Sequence, residues 1–210
     1  MEFKTHTKDV IKDVAKYITQ YCTENQDCDM EIWVGCDSER RRGKSAEYAV
    51  ALCFYRYNEY ENEVKNADGT SDLRIIKVGK GAHVIHRKEF KKITGAGTDI
   101  DDFVRKRLWG EVELSFEVAE YLKKMNLLKK EKTDEYYKPI WDHVKKFLIH
   151  IDFNGKAGGV MKRGKKVRST KKNTSNDLYD SAIWESRRLG YDCIAKPDGF
   201  AATYAADNLL

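Results

Sequence analysis

The chain has 210 residues, 41% hydrophobic and 35% charged, which is enough for one domain with a core that needs no disulfide or structural metal. Its longest apolar run, Tyr48 to Tyr55, is eight residues, against about 20 needed to span a bilayer, and the mixed charges of Glu2, Lys4, Lys8 and Asp9 do not make a secretion signal. With 39 basic and 34 acidic residues the formal charge is +5, and two prolines with 14 glycines exclude a fibrous or disordered chain. The five cysteines (Cys22, Cys28, Cys36, Cys53 and Cys193) are an odd, scattered set without a CxxC pair. They point to a reduced, cytoplasmic protein, with Cys22 and Cys28 a weak exception for a metal or disulfide.

The elements are taken in chain order. Val10, Ile11, Val14, Tyr17, Ile18 and Tyr21 recur at helical spacing, with Thr7 as the expected N-cap. A first strand is expected at Ile32 to Cys36, then a basic turn from Glu39 to Lys44. A second strand covers Tyr48 to Tyr57 and a third Leu73 to about Ile85, joined by a polar loop with Asp68-Gly69 as its turn. A long helix begins at Thr98 or Asp99 and runs to Lys124, with Gly110 as a point where it can bend. Residues 126 to 146 form a charged connection. A fourth strand spans Lys146 to Phe153, a helix Asp177 to Leu189 ends at Gly190, a short strand covers Tyr191 to Ala195, and a last helix runs from Gly199 to Asn208. Three early strands and then alternating helix and strand predict an α/β fold with a five-stranded mixed sheet flanked by helices. The N-terminal helix, residues 1–28, reads as an extension packed on a domain of residues 29–210.

Four acids occupy the ends or packed faces of these elements. Asp37 closes the first strand. Asp152 interrupts the apolar run from Phe147 to Phe153. Asp198 opens the last helix. Glu111 shares the packed side of the long helix with Ser115, Val118, Ala119 and Leu122, whereas its competitor Glu113 shares a solvated side with Glu117 and Glu120. Each has an ordinary explanation as an N-cap, a strand end or a surface residue. Together they would gather at one sheet edge, where mutual repulsion raises their pKa values unless cations neutralise them. Oxygen ligands of this kind suit Mg²⁺ or Mn²⁺, and two such ions support phosphodiester cleavage by an activated water. Asp207 is an alternative to Asp198; nine residues apart, about 13 Å along a regular helix, they cannot both serve one metal cluster.

These segments resemble a known family. Trp33-Val34-Gly35-Cys36-Asp37-Ser38-Glu39 looks like the first-strand motif of the YkuK-like group of ribonuclease H-like proteins. Glu111-Val112 with Ser115 to Ala119, His150 to Asn154, and Lys196 to Thr203 with Ala206-Asp207 resemble its helix, second acidic strand and C-terminal motifs. The resemblance covers residue 25 onward and implies a ribonuclease H-like fold with a metal-dependent nuclease site at Asp37, Glu111, Asp152 and Asp198. Cys36, Glu39 and the segment 153–190 depart from the group's pattern.

The stretch 154–172 carries Lys156, Lys162, Arg163, Lys165, Lys166, Arg168, Lys171 and Lys172 and no acid; without it the chain has 31 basic and 34 acidic residues, a net −3. Arg40, Arg41, Arg42 and Lys44 form a second cluster after Asp37. Each cluster comes directly after a candidate metal ligand, so both are expected to hold a nucleic-acid backbone, DNA, RNA or hybrid, and no membrane. The expected activity is nucleic-acid cleavage. The alternatives are a nucleic-acid-binding protein without useful catalysis and a structural protein. His150 shares its side of the strand with Asp152 and reads as a packed core histidine.

Overall fold

The computed structural model describes residues 1–65, 68, 70–94, 100–154, 160–162, 165–167, 174–196 and 201–210. In chain order the elements are β1 (Phe3–Thr5), β2 (Val10–Ile11), α1 (Val14–Glu24), β3 (Asp29–Arg41), β4 (Ser45–Lys65), β5 (Ser71–Lys92), α2 (Ile100–Lys124), β6 (Leu128–Lys129), β7 (Lys138–Pro139), β8 (Val144–Asn154), β9 (Val160–Lys162), β10 (Lys165–Val167), α3 (Thr174–Leu189), β11 (Asp192–Lys196) and α4 (Ala201–Asp207). The fold is mixed α/β, with a seven-stranded main sheet in the order β11-β8-β3-β4-β5-β1-β2. The strands β3, β4 and β5 pair antiparallel, while β8 and β11 add in parallel beside β3. The short pairs β9-β10 and β6-β7 stand apart from it.

The expected five strands are β11 to β5 of this sheet; β1 and β2 extend it by two beyond β5. They were hidden because strands of three and two residues show no periodicity, and Val10-Ile11 fell into the helical spacing of Val14 to Tyr21. The helix begins only at Val14, where the Asp13 side chain accepts from Lys16 N at 3.0 Å and so replaces Thr7 as N-cap. Residues 1–28 therefore contain two sheet strands as well as a helix. The polar loop expected at 58–72 is strand for most of its length. Glu59, Glu61 and Glu63 lie on one side of a ribbon in which they pair with Lys77, Ile75 and Leu73 on β5. Cross-strand pairing overrides the low strand propensity of these polar residues. The Glu39–Lys44 turn is narrower than expected, since β3 continues to Arg41.

Alternation along the strands divides the sheet into two faces. Met30, Ile32, Val34 and Cys36 of β3, Val50, Leu52 and Phe54 of β4, and Phe147, Ile149, Ile151 and Phe153 of β8 join the main core with the apolar faces of α1, α2 and α3. On the opposite face Ala49, Ala51 and Cys53 pack with Ala202 and Ala206 of α4, bordered by Trp33 and Val84. This second core is built from small side chains, so α4 lies close to the sheet. A Cβ on Gly35 would stand 2.8 Å from Thr203 N and 2.9 Å from Ala202 C and Cβ. Gly110 plays a similar part on α2. It does not break the helix, which is continuous from Ile100 to Lys124. Instead it leaves room for Tyr48, whose hydroxyl would meet a Cβ there at 2.6 Å and donates to Arg107 O at 3.2 Å.

Gly35→Ala is expected to destabilise the protein by about 1–3 kcal/mol, because the helix backbone must move off the sheet. The urea midpoint should fall with an unchanged m-value. A midpoint equal to that of the parent would show that α4 does not rest on Gly35.

Candidate active site

Because β3, β8 and β11 run in the same direction, their C-terminal ends leave the sheet at one edge. Asp37 and Asp152 lie near those ends, and Lys196 ends β11. The alternation that sends Cys36 and Ile151 into the main core turns Asp37 and Asp152 toward the face that carries α4. The last residue of α4 is Asp207, whose carboxyl group acts on that of Asp37. Burial is the largest influence on Asp37. With the nearby carboxylates of Asp207 and Asp152, it outweighs the stabilising Ser38 backbone bond and raises the Asp37 pKa to about 6.

Glu111 approaches from the other side. It is 4% exposed, on the packed face of α2, whereas Glu113 is exposed. Ser38, one residue beyond Asp37 and so on the opposite face of β3, donates its hydroxyl to Glu111 Oε1. Arg107, one turn earlier on α2, pairs with Glu111 at 3.2 Å, donates to Ser38 Oγ at 2.6 Å and also to Ser38 O. Burial raises the Glu111 pKa to about 8; Ser38 and Arg107 oppose the rise, while the charges of Asp37 and Asp152 add to it. A small cavity of about 10 Å³ lies between Glu111 and Asp152, lined also by Cys36, Ser115 and His150.

Asp152 forms an ion pair with Lys196 of β11. His150, two residues before it, is buried, accepts from Ala202 N at 3.3 Å and stacks on Trp33 with ring centres 5.1 Å apart. Burial lowers its pKa to about 4, so the ring is neutral and ties the start of α4 to β8. The structure thus draws Asp37, Asp152, Asp207 and Glu111 into one electrostatic neighbourhood. Asp198 lies outside the described residues. The acid placed beside Asp37 is Asp207, which the sequence offered only as an alternative.

Sequence reasoning missed three partners: Ser38 as a hydrogen bond to Glu111, Arg107, and Lys196. The one-turn spacing of Arg107 and Glu111 was the available signal for the second. Among the described residues no three His, Cys, Asp or Glu side chains are grouped as a ready metal site. The donor set is nevertheless made of carboxylates, two of them with raised pKa values, and it suits a hard divalent cation better than a soft one.

The cationic residues have mixed surroundings. Arg41 is committed to the protein: it pairs with Glu39 and with Glu47 at 2.5 Å, and donates to Leu210 O at 3.4 Å. The exposed Arg40 lies over Phe103, 5.2 Å from the ring centre. Arg42 and Lys44 are exposed at the turn. Lys162, Lys165 and Lys166 fall on β9 and β10, a pairing not expected in a stretch read as a flexible loop. Lys156, Arg163, Arg168, Lys171 and Lys172 lie outside the described residues. All five cysteines are free, Cys22 and Cys28 included. No helix among the described residues is long and apolar enough to cross a membrane.

Compared with family models, with curated proteins and with solved structures, the chain matches none.

The raised carboxyl groups set a sign for stability against pH. Both bind a proton more tightly folded than unfolded, so their contribution is complete below about pH 4. It is lost as pH rises through about 6 for Asp37 and about 8 for Glu111. Urea midpoints are expected to fall from pH 5 to pH 8.5, and Glu111→Gln, which cannot ionise, should flatten the fall. A parent that gains stability over this range, or a variant with the same slope, contradicts the assignment.

Proposed function

We propose that this chain is a ribonuclease H-like, metal-dependent phosphodiesterase acting on nucleic acid. The observation that carries this reading is that Asp37 feels the charges of Asp152 and Asp207, and Glu111 those of Asp37 and Asp152, near the C-terminal ends of parallel β3 and β8. The order β11-β8-β3-β4-β5, three antiparallel strands extended by two parallel ones, supports the fold assignment. The sequence motifs around Asp37, Glu111, Asp152 and Asp198, with Asp207 as the alternative, support it independently.

Asp37, Asp152 and Asp207 would hold Mg²⁺ or Mn²⁺ on the α4 face, with Glu111 reaching the same region from α2. When bound, such ions supply the positive charge that stabilises a phosphodiester during hydrolysis. The protein's own groups have defined parts. Ser38 and Arg107 orient the Glu111 carboxylate. His150 fixes the start of α4 through Ala202 N, which helps hold Asp207 against Asp37. Lys196 offsets the charge of Asp152 and sits where an anionic substrate would approach. The basic stretch after β8 would hold the phosphate backbone beside these acids.

A second reading, nucleic-acid binding without useful catalysis, is favoured by one observation. Arg107 and Lys196 already compensate Glu111 and Asp152, so those two carboxylates have partners without any added cation.

Incubation with Mn²⁺ or Mg²⁺ and a panel of single strands, RNA–DNA hybrid and branched DNA should give cleavage. Asp37→Asn or Asp152→Asn should reduce it at least about a hundredfold. Asp207→Asn is expected to lose activity as well. An uncut panel with parent protein, or an Asp152→Asn protein as active as the parent, sinks the nuclease reading. Salt-sensitive binding that survives Asp37→Asn would then support the second. Independently of turnover, Mn²⁺ should raise the melting temperature more at pH 8 than at pH 5, because protons compete for the carboxylates.

A further inference from the structure

A second groove, lined by none of the residues of the pocket between Glu111 and Asp152, lies along the long helix. It has a volume of about 430 Å³ and lies where the end of β5 meets the first half of α2. Lys91 and Lys92 enter it from β5, Arg105 and Lys106 from α2, and Tyr48 and Trp109 form apolar wall. Among the described residues Glu113 is the one acid in its lining, which there carries a net +3. Lys91, Lys106 and Arg105 have acidic neighbours in Glu89 at 3.2 Å, Asp102 at 3.0 Å and Asp177 at 3.7 Å. Pairs this exposed are worth little and are readily exchanged for a phosphate.

Three connections tie the groove to the acids. Gly110 lines it and is the residue before Glu111. Tyr48 lines it and its hydroxyl donates to the carbonyl of Arg107, the partner of Glu111. Leu178 of α3 lines it too, and α3 begins where the basic stretch after Asp152 ends. The hydrogen bond from Ile93 N to Lys44 O, 2.8 Å, joins the groove to the cationic turn of Arg40, Arg42 and Lys44. From Lys106 to Glu113 the groove runs along α2 for about 10 Å, close to two nucleotides of extended strand.

We propose that this groove binds single-stranded nucleic acid and delivers it to the acidic edge; this refines the substrate of the function proposed above and rests on it. The four cations match a phosphate backbone. Trp109, half-buried, offers a ring that an unpaired base can stack on and a paired base in a duplex cannot. A protein or membrane partner has no comparable claim, since Ile93 and Leu178, the aliphatic lining residues, are buried, leaving no broad apolar surface.

The test measures binding in EDTA, where no cleavage occurs, by fluorescence anisotropy of a labelled twelve-nucleotide single strand and of the matching duplex. The parent should bind the single strand more tightly. Trp109→Ala should weaken single-strand binding between about fivefold and a hundredfold with little effect on duplex. Lys92→Gln with Arg105→Gln should lower the slope of log affinity against log salt by about 1.4, the loss of two phosphate contacts on a single strand. Circular dichroism and melting temperature confirm folding, and the charge reversal Lys92→Glu should weaken binding further. Unchanged affinity and slope in these folded variants overturn the proposal, as does duplex binding as tight as single-strand binding. A protein that binds through the groove but cuts nothing with Mn²⁺ loses the nuclease reading and keeps this one. A protein that cuts with KM unaltered by the groove variants loses this one and keeps the nuclease.

Discussion

The close seating of α4 on Gly35 is the constraint on which the acidic edge depends. A sheet face lined with large side chains would hold a helix well away from it. Here Gly35, Ala49 and Ala51 meet Ala202 and Ala206, and the backbone of α4 comes within the radius of a missing methyl group. His150 adds a directional contact at the start of the same helix, with its ring neutral because it is buried. Seven residues are then enough to carry Asp207 from that anchor to Asp37.

The central strand distributes the site over two faces of the sheet. Asp37 and Ser38 are neighbours in sequence and so point opposite ways: Asp37 faces the side of α4, where Asp207 acts on it, and Ser38 donates to Glu111 under α2. Electrostatic coupling through the sheet edge links the two halves, since Glu111 responds to the charges of both Asp37 and Asp152. Arg107 and Lys196 relieve part of the repulsion. Positive charge elsewhere among the described residues lies on the turn after β3 and along β5 and α2. The modest net charge of +5 therefore conceals an acidic centre with cationic approaches.

Much of the central sheet was legible because apolar alternation and helical spacing are local signals. Glu111 could be separated from Glu113 for the same reason: one shares its side with Ser115 and Leu122, the other with Glu117 and Glu120. The edge strands β1 and β2 were illegible because they are too short to show a period. The ribbon of β4 and β5 was missed because polar residues such as Glu59 and Asn62 have strand geometry only when a partner strand supplies it. Gly110 was read as a flexible point because nothing local to it signals that Tyr48, 62 positions earlier in the chain, needs its space.

The sequence by itself determined the alternation of strand and helix, the acids at element ends, the packed side of the long helix and the concentration of basic residues after Asp152. These depend on neighbours within a few positions. Only the tertiary structure decided that Asp207 stands against Asp37, that Lys196 pairs with Asp152, that Arg41 is occupied by Glu47, and that cations of β5 and α2 share one groove. Each of these joins residues on elements far apart in the chain or on opposite sides of a turn. Their meeting is set by strand order and by the close approach that the small residues at Gly35 and Ala202 permit.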